Sequence, residues 1–315
     1  MERVVCCVCE KPIGGEPILM GHRPYCPSCH ARVTRDRKGL WWASLIGVAA
    51  LVLFMALVAL LARATHPRLE GLALLMVGVV LALVPAAFWL GFFYLQDTRE
   101  PEPKHLVLSV FVLGSLLARA VGIPLIDEVF RVADWLTSGL VYHILGAILI
   151  VGFIEQFLIY AAVRFSVYPT AEFDERVDGI VYGTAAALGY ATLVNIQYVV
   201  QSGGVDLTSG VIRIAVTALA LASFGGITGY FLGRCKFEDE PLWWMPGGLA
   251  LAATLNGLFV YLLGEVTTTS VGLAFGGYNP WPGLILGGVV AAVTFVILFY
   301  LIRRLARRAP QALGA

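Results

Sequence analysis

The sequence predicts an all-α, polytopic membrane helical bundle preceded by a small cysteine-paired module. Three observations predict it. Apolar residues make up 59% of the 315-residue chain and charged residues 14%, a balance that soluble domains do not show. Eight apolar stretches are each long enough to cross about 30 Å of hydrocarbon at about 1.5 Å of rise per residue. Two C-x-x-C pairs, Cys6/Cys9 and Cys26/Cys29, stand ahead of the first stretch.

The cysteine pairs come first in the chain. Sixteen residues separate Cys9 from Cys26, a spacing at which four thiolates close a tetrahedral shell around Zn2+. Iron is the alternative metal. Residues 1–36 are too few to fold on apolar burial alone, so bound metal would supply the folding energy. A closed four-thiolate site has no open coordination position, which makes it structural and suits it to present a rigid surface to a cytoplasmic protein partner. A disulfide pairing does not suit a cytoplasmic module. Nucleic acid is not favoured as a partner, because Arg32, Arg35, Arg37 and Lys38 read as a membrane-orienting flank. Cys7 reads as a bystander, His22 and His30 as surface residues with substitute ligands as the alternative, and Cys235 as a buried or interfacial thiol.

The membrane domain is predicted over residues 37–308, with a short cytoplasmic tail at 309–315. Its spans fall near 40–62, 71–95, 105–126, 137–164, 179–201, 211–233, 243–264 and 282–302. The third contains Arg119, which leaves open whether it crosses fully. The first apolar run begins only after about forty residues, so no cleavable signal peptide is expected. Arg32–Lys38 and Arg303–Arg308 flank the outermost spans, and Arg99/Lys104, Arg164/Arg176 and Arg234/Lys236 fall on the same side. The opposite side holds only Arg63, Arg68, Arg131 and Arg213. The positive-inside rule then places both termini in the cytoplasm, and the inner (plasma) membrane is the expected location. Trp41-Trp42 and Trp243-Trp244 sit at span ends, as interfacial aromatic residues do.

Few polar groups interrupt the spans. Glu155, followed by Gln156, lies inside the apolar run Leu140–Val163. A carboxylate at bilayer depth costs roughly 3 kcal/mol on insertion scales and marks a functional site. By charge alone, the loops Asp97–Lys104 and Tyr168–Asp178 read as solvated turns, while Arg119 and Asp178 are further polar positions at the membrane. Gly183, Gly189, Gly225, Gly226, Gly229 and Gly233 would let helices approach closely. His143 reads as a helix-packing residue, and Thr267–Gly283 as a long outer loop. The absence of paired intramembrane charges and of broken-helix symmetry argues against a transporter.

Several motifs recur in a telling order: the Asp97…Glu100-Pro101-Glu102-Pro103 loop, Glu155-Gln156, Glu172-Phe173-Asp174-Glu175 with Asp178-Gly179, Gly189 to Asn195, Arg213, Phe224-Gly225 to Gly233, and Leu255-Asn256-Gly257. In that order they resemble the PrsW family, glutamic-type intramembrane proteases related to the CAAX-protease and bacteriocin-processing superfamily. The resemblance covers roughly residues 85–265, outside the cysteine module and the first span. It implies a site built on two adjacent glutamates, of which Glu155 is present and the second is Gln156. It further implies a lysine where Ile159 stands, a glutamate at Val194 before Asn195, and histidines at Leu221 and Asn256. Peptide hydrolysis needs a base, an acid and oxyanion donors. Of that set the chain keeps Glu155 and, as an oxyanion donor, Asn195, with Glu155 expected to pair with Arg119 or to hydrogen-bond Asn195. The expectation is therefore a vestigial site (Glu155, Gln156, Asn195, Asn256) in a pseudoprotease that is not an enzyme. Its role would be that of a scaffold, binding or accessory subunit of a membrane protein assembly. The alternative is an active intramembrane protease cleaving a single-span protein such as an anti-sigma factor.

Overall fold

The computed structural model describes residues 4–6, 11–20, 23–33, 39–65, 70–96, 102–136, 139–201, 207–268 and 281–307. Cys7, Cys9, His22, Asp97–Pro101, most of the expected outer loop (269–280) and the 309–315 tail lie outside the described residues, as do the side chains of Trp41, Trp42 and Arg303–Arg308.

The N-terminal module is a small knuckle. Strands β1 (Ile18–Met20) and β2 (Arg23–Tyr25) pair antiparallel, with Ile18 opposite Tyr25. A bridge joins Val5 to Pro12, and the Cys6 amide donates to the Lys11 carbonyl at 2.9 Å. Helix α1 (Pro27–Val33) begins on a proline, whose missing N–H is harmless at the first helical position. The module's buried core is Cys6, Tyr25 and Cys29, with Ile13 and Cys26 packed beside them. So small a core cannot hold a fold by apolar burial alone.

The rest is helical. In chain order the helices are α2 (Gly39–Thr65), α3 (Gly71–Gln96), α4 (Lys104–Leu117), α5 (Val132–Trp135), α6 (Leu140–Gly146), α7 (Phe153–Phe165), α8 (Arg176–Gln201), α9 (Leu207–Phe237), α10 (Trp244–Thr268) and α11 (Trp281–Arg307). Two π-helical stretches, Ala118–Gly122 and Leu125–Val129, carry α4 onward, and a third, Ala147–Gly152, joins α6 to α7. Among the described residues six helical segments are long and apolar enough to cross a membrane: 71–95, 104–135, 140–165, 176–201, 210–237 and 244–263. Shorter apolar stretches, Ile46–Ala62 and Ile285–Leu301, lie in α2 and α11. The predicted all-α membrane bundle is the fold observed. Where the third span was expected to end near residue 126, the π-helical stretch runs on to Val129, and Arg131, in the left-handed region, then starts the short α5.

Helices α8 and α9 form the centre: 83% and 78% of their apolar windows are buried, against 28–44% for the other four. Their sequences explain this. Gly179, Gly183, Gly225, Gly229 and Gly233 line the contact, and a Cβ at Gly229 would occupy the place of the Gly179 carbonyl. Only glycine allows backbones so close, and close backbones maximise van der Waals contact where no hydrophobic force between helices acts. On its other side α8 meets α4, where the Ser115 hydroxyl donates to the Gly189 carbonyl at 2.9 Å. His143 packs edge-on against the Tyr261 ring at 5.1 Å, the packing role its sequence context suggested.

Candidate active site

Glu155 enters the first turn of α7 directly after the π-helical stretch Ala147–Gly152. That junction fixes its neighbours. A Cβ at Gly152 would meet the Ala253 carbonyl, and one at Gly257 would meet the backbone of Ala147 and Ile148. Two glycines thus let α10 lie backbone to backbone against the segment before α7. The short side chain of Asn256 then reaches the carboxylate, its Nδ2 donating to Oε2 of Glu155 at 2.7 Å. Both residues are buried, at 0% and 6% exposure. π-Helical stretches inside α-helices recur at functional sites, and this one aims a charged residue.

Gln156 is buried on the next helical position and turns toward α9. Its Oε1 accepts a hydrogen bond from the buried Thr228 hydroxyl at 2.9 Å. Tyr190 of α8 is buried within electrostatic reach of Glu155. Asn195 is buried too, but its Nδ2 donates to the Ile214 carbonyl of α9 at 3.2 Å. It thereby ties α8 to α9. Arg119 is exposed on its π-helical stretch. Neither expected partner of Glu155 is therefore the real one. Asn256, more than a hundred positions away, takes that place. Leu221 is buried and Val194 half-buried, both apolar.

A second polar cluster forms where α8 begins. One carboxylate oxygen from each of Glu102, Asp174 and Asp178 lies within 4.8 Å of the others. Glu102 and Asp178 are 3% and 1% exposed. The Tyr182 hydroxyl donates to Oε2 of Glu102 at 2.6 Å, and the Tyr94 hydroxyl to its carbonyl at 3.1 Å. The Glu175 amide donates to Oδ2 of Asp178 at 2.6 Å, the carboxylate half of a capping box on α8. The Tyr168–Asp178 loop is not the solvated turn that charge alone suggested. Lys236 is the reason: its Nζ donates to the carbonyls of Tyr168 and Phe173 at 2.7 Å and of Thr170 at 3.3 Å. That draws the loop onto the end of α9, where Phe173 stacks between Tyr182 and Phe237.

In the N-terminal module the sulfurs of Cys6, Cys26 and Cys29 all lie within 4.8 Å of one another. The Ser28 hydroxyl, 3.3 Å from Sγ of Cys26, holds that thiol below its ordinary range, which favours the thiolate a metal needs. His30 is half-buried beside it.

A profile described as PrsW family intramembrane metalloprotease matches residues 102–302, more than half of the chain. The chain belongs to the PrsW family. It is 32% identical over 183 residues to Protease PrsW of Bacillus subtilis (strain 168), covering 58% of this chain and 80% of that protein. The namesakes of Geobacillus kaustophilus and Halalkalibacterium halodurans are 32% and 31% identical, covering 58% of this chain and 77% and 81% of their own lengths. No solved structure matches. Relatives named as proteases at this identity overturn the expectation that the chain is not an enzyme. An intramembrane protease is favoured over a non-enzyme.

The profile's description implies a metal, and the donor set around Glu155 does not fit one. Catalytic zinc takes about three His, Asp, Glu or Cys ligands and keeps one position open. Here a single carboxylate faces amides and apolar side chains, and one of its oxygens already accepts the Asn256 amide hydrogen. Among the described residues Glu155 belongs to no group of three potential ligands; the two such groups are the cysteines and the Glu102 cluster. Sequence reasoning missed Thr228 and Tyr190, although both lie inside the glycine-rich motifs it singled out. Their facing follows from helix rotation, which those motifs do not specify.

Proposed function

We propose that this PrsW-family chain is an intramembrane protease that hydrolyses single-span membrane proteins, an anti-sigma factor being the substrate class its family resemblance suggests. The observation that carries the reading is Glu155: a carboxylate buried in the membrane domain, aimed by Asn256, in a chain whose relatives are named proteases. Glu155 takes a proton from water as the water oxygen attacks the peptide carbonyl. It returns that proton to the amide nitrogen as the C–N bond breaks, leaving a carboxylic acid and an amine. One carboxylate serves as base and then as acid. Asn256 holds it in register through both steps, and no step runs through a metal. With Gln156, Val194 and Leu221 at positions where the family pattern has titratable groups, turnover is slow relative to the Bacillus relatives.

The test is reconstitution in lipid with candidate single-span substrates. Wild type cleaves and Glu155→Gln does not. Equal cleavage by both, or none by wild type on any substrate that a Bacillus relative cuts, would sink the reading.

The chain crosses the inner membrane eight times with both termini cytoplasmic, and cysteine labelling from the outside should spare residues near Arg37 and Arg308. The N-terminal module binds one structural Zn2+ through Cys6, Cys26 and Cys29 with Cys9 as fourth ligand, and offers a rigid surface to a cytoplasmic partner. The sulfur geometry and the paired spacing support it.

A further inference from the structure

Three polar atoms near Glu155 are buried without a hydrogen-bond partner: Nε2 of Gln156, Oδ1 of Asn256 and the hydroxyl of Tyr190. The parent side chains are 0%, 0% and 1% exposed. Each amide is tethered at one end and open at the other. Thr228 holds Oε1 of Gln156 and leaves its N–H2 free; Glu155 holds Nδ2 of Asn256 and leaves its oxygen free. Open valences are costly in a buried place and are kept where something fills them.

The open ends are a donor and an acceptor. A peptide unit, with one C=O and one N–H, is the complementary group. In an intact membrane helix those groups are already paired within the helix, so only an unwound stretch offers them. We infer that Gln156 is a substrate-binding residue of this centre, its Nε2 donating to a carbonyl oxygen of unwound backbone while Asn256 Oδ1 accepts an N–H. The Tyr190 hydroxyl supplies a further contact. The inference rests on the proteolytic reading of the same centre and gives Gln156 a role there. A glutamine donates a hydrogen bond that a carboxylate cannot, so the residue that departs from the family pattern is the oxyanion donor as the carbonyl carbon turns tetrahedral. Thr228 is a positioning residue that fixes which end of the amide faces the substrate.

Binding can be separated from cleavage. The full chain carrying Glu155→Gln keeps an oxygen for Asn256 and is placed in lipid nanodiscs. Two dye-labelled synthetic single-span peptides serve as probes, one an uninterrupted Leu/Ala helix and one broken by Gly-Pro-Gly at mid-membrane, read by energy transfer. The broken peptide should bind about 10-fold tighter, the worth of roughly one hydrogen bond to a buried group. Adding Gln156→Leu or Thr228→Val should bring the two peptides within about 2-fold of each other, with elution volume unchanged. Equal affinity for both peptides in the parent, as a water trapped at these atoms would give, overturns the inference. So does a preference that survives both added variants. A preference that tracks Gln156 in a chain whose wild type never cleaves would sink the protease reading and leave the recognition of unwound backbone standing.

Discussion

Asn256→Ala isolates the single contact that aims the carboxylate. The lost bond is short, 2.7 Å from Nδ2 to Oε2, and lies between fully buried side chains. A hydrogen bond to a charged group is worth about 1.5–3 kcal/mol. If all of it acts on the transition state, kcat falls by about 10- to 150-fold, since each 1.36 kcal/mol is a factor of ten. KM should rise as well, by about 10-fold at most, because the Oδ1 of the same side chain accepts a substrate N–H. The assay is cleavage of a single-span substrate in proteoliposomes, with initial rates across substrate density. An unchanged kcat, or a loss carried by KM alone, would refute the claim that Asn256 works through Glu155.

Further outcomes follow from other contacts. Gly229→Ala puts a methyl where the Gly179 carbonyl lies and should destabilise the α8–α9 pair by about 1–3 kcal/mol, read as a lowered melting temperature in detergent. Replacing Cys6 or Cys29 by Ser should take bound zinc from about one per chain to none by elemental analysis, while Glu155→Gln keeps the metal and chelation leaves cleavage unchanged. Lys236→Met removes the donor to the Tyr168, Thr170 and Phe173 carbonyls, so hydrogen exchange across 168–175 should rise by about tenfold or more; unchanged protection would mean that aromatic stacking alone orders the loop.

The sequence by itself determined the class of molecule, the cysteine module and the family. Hydropathy is a local property, and a run long enough to cross hydrocarbon has no soluble alternative, so the helical membrane bundle was legible residue by residue. The cysteine spacing named ligands that fold together, and Cys6, Cys26 and Cys29 do meet. The order of polar motifs led to the PrsW family, and the glycines singled out at Gly183, Gly225, Gly229 and Gly233 do line close helix contacts. Reading the missing titratable groups as missing activity went further than those motifs allowed.

Only the tertiary structure decided who touches whom. Glu155 had two expected partners in the sequence, Arg119 and Asn195, and neither is its contact. Asn256 wins because Gly152 and Gly257 let α10 come within backbone contact, while Asn195 turns to the Ile214 carbonyl and Arg119 turns outward. The acidic loops looked solvated because charge predicts water. Lys236, far along the chain, supplies the donor that folds one of them back and brings Asp174 and Asp178 to Glu102. Composition and spacing act over a few residues, and they fix what each helix is. Which face a helix turns, and how near its neighbour comes, depends on the packing of all the helices at once, and that packing set the partners of Glu155.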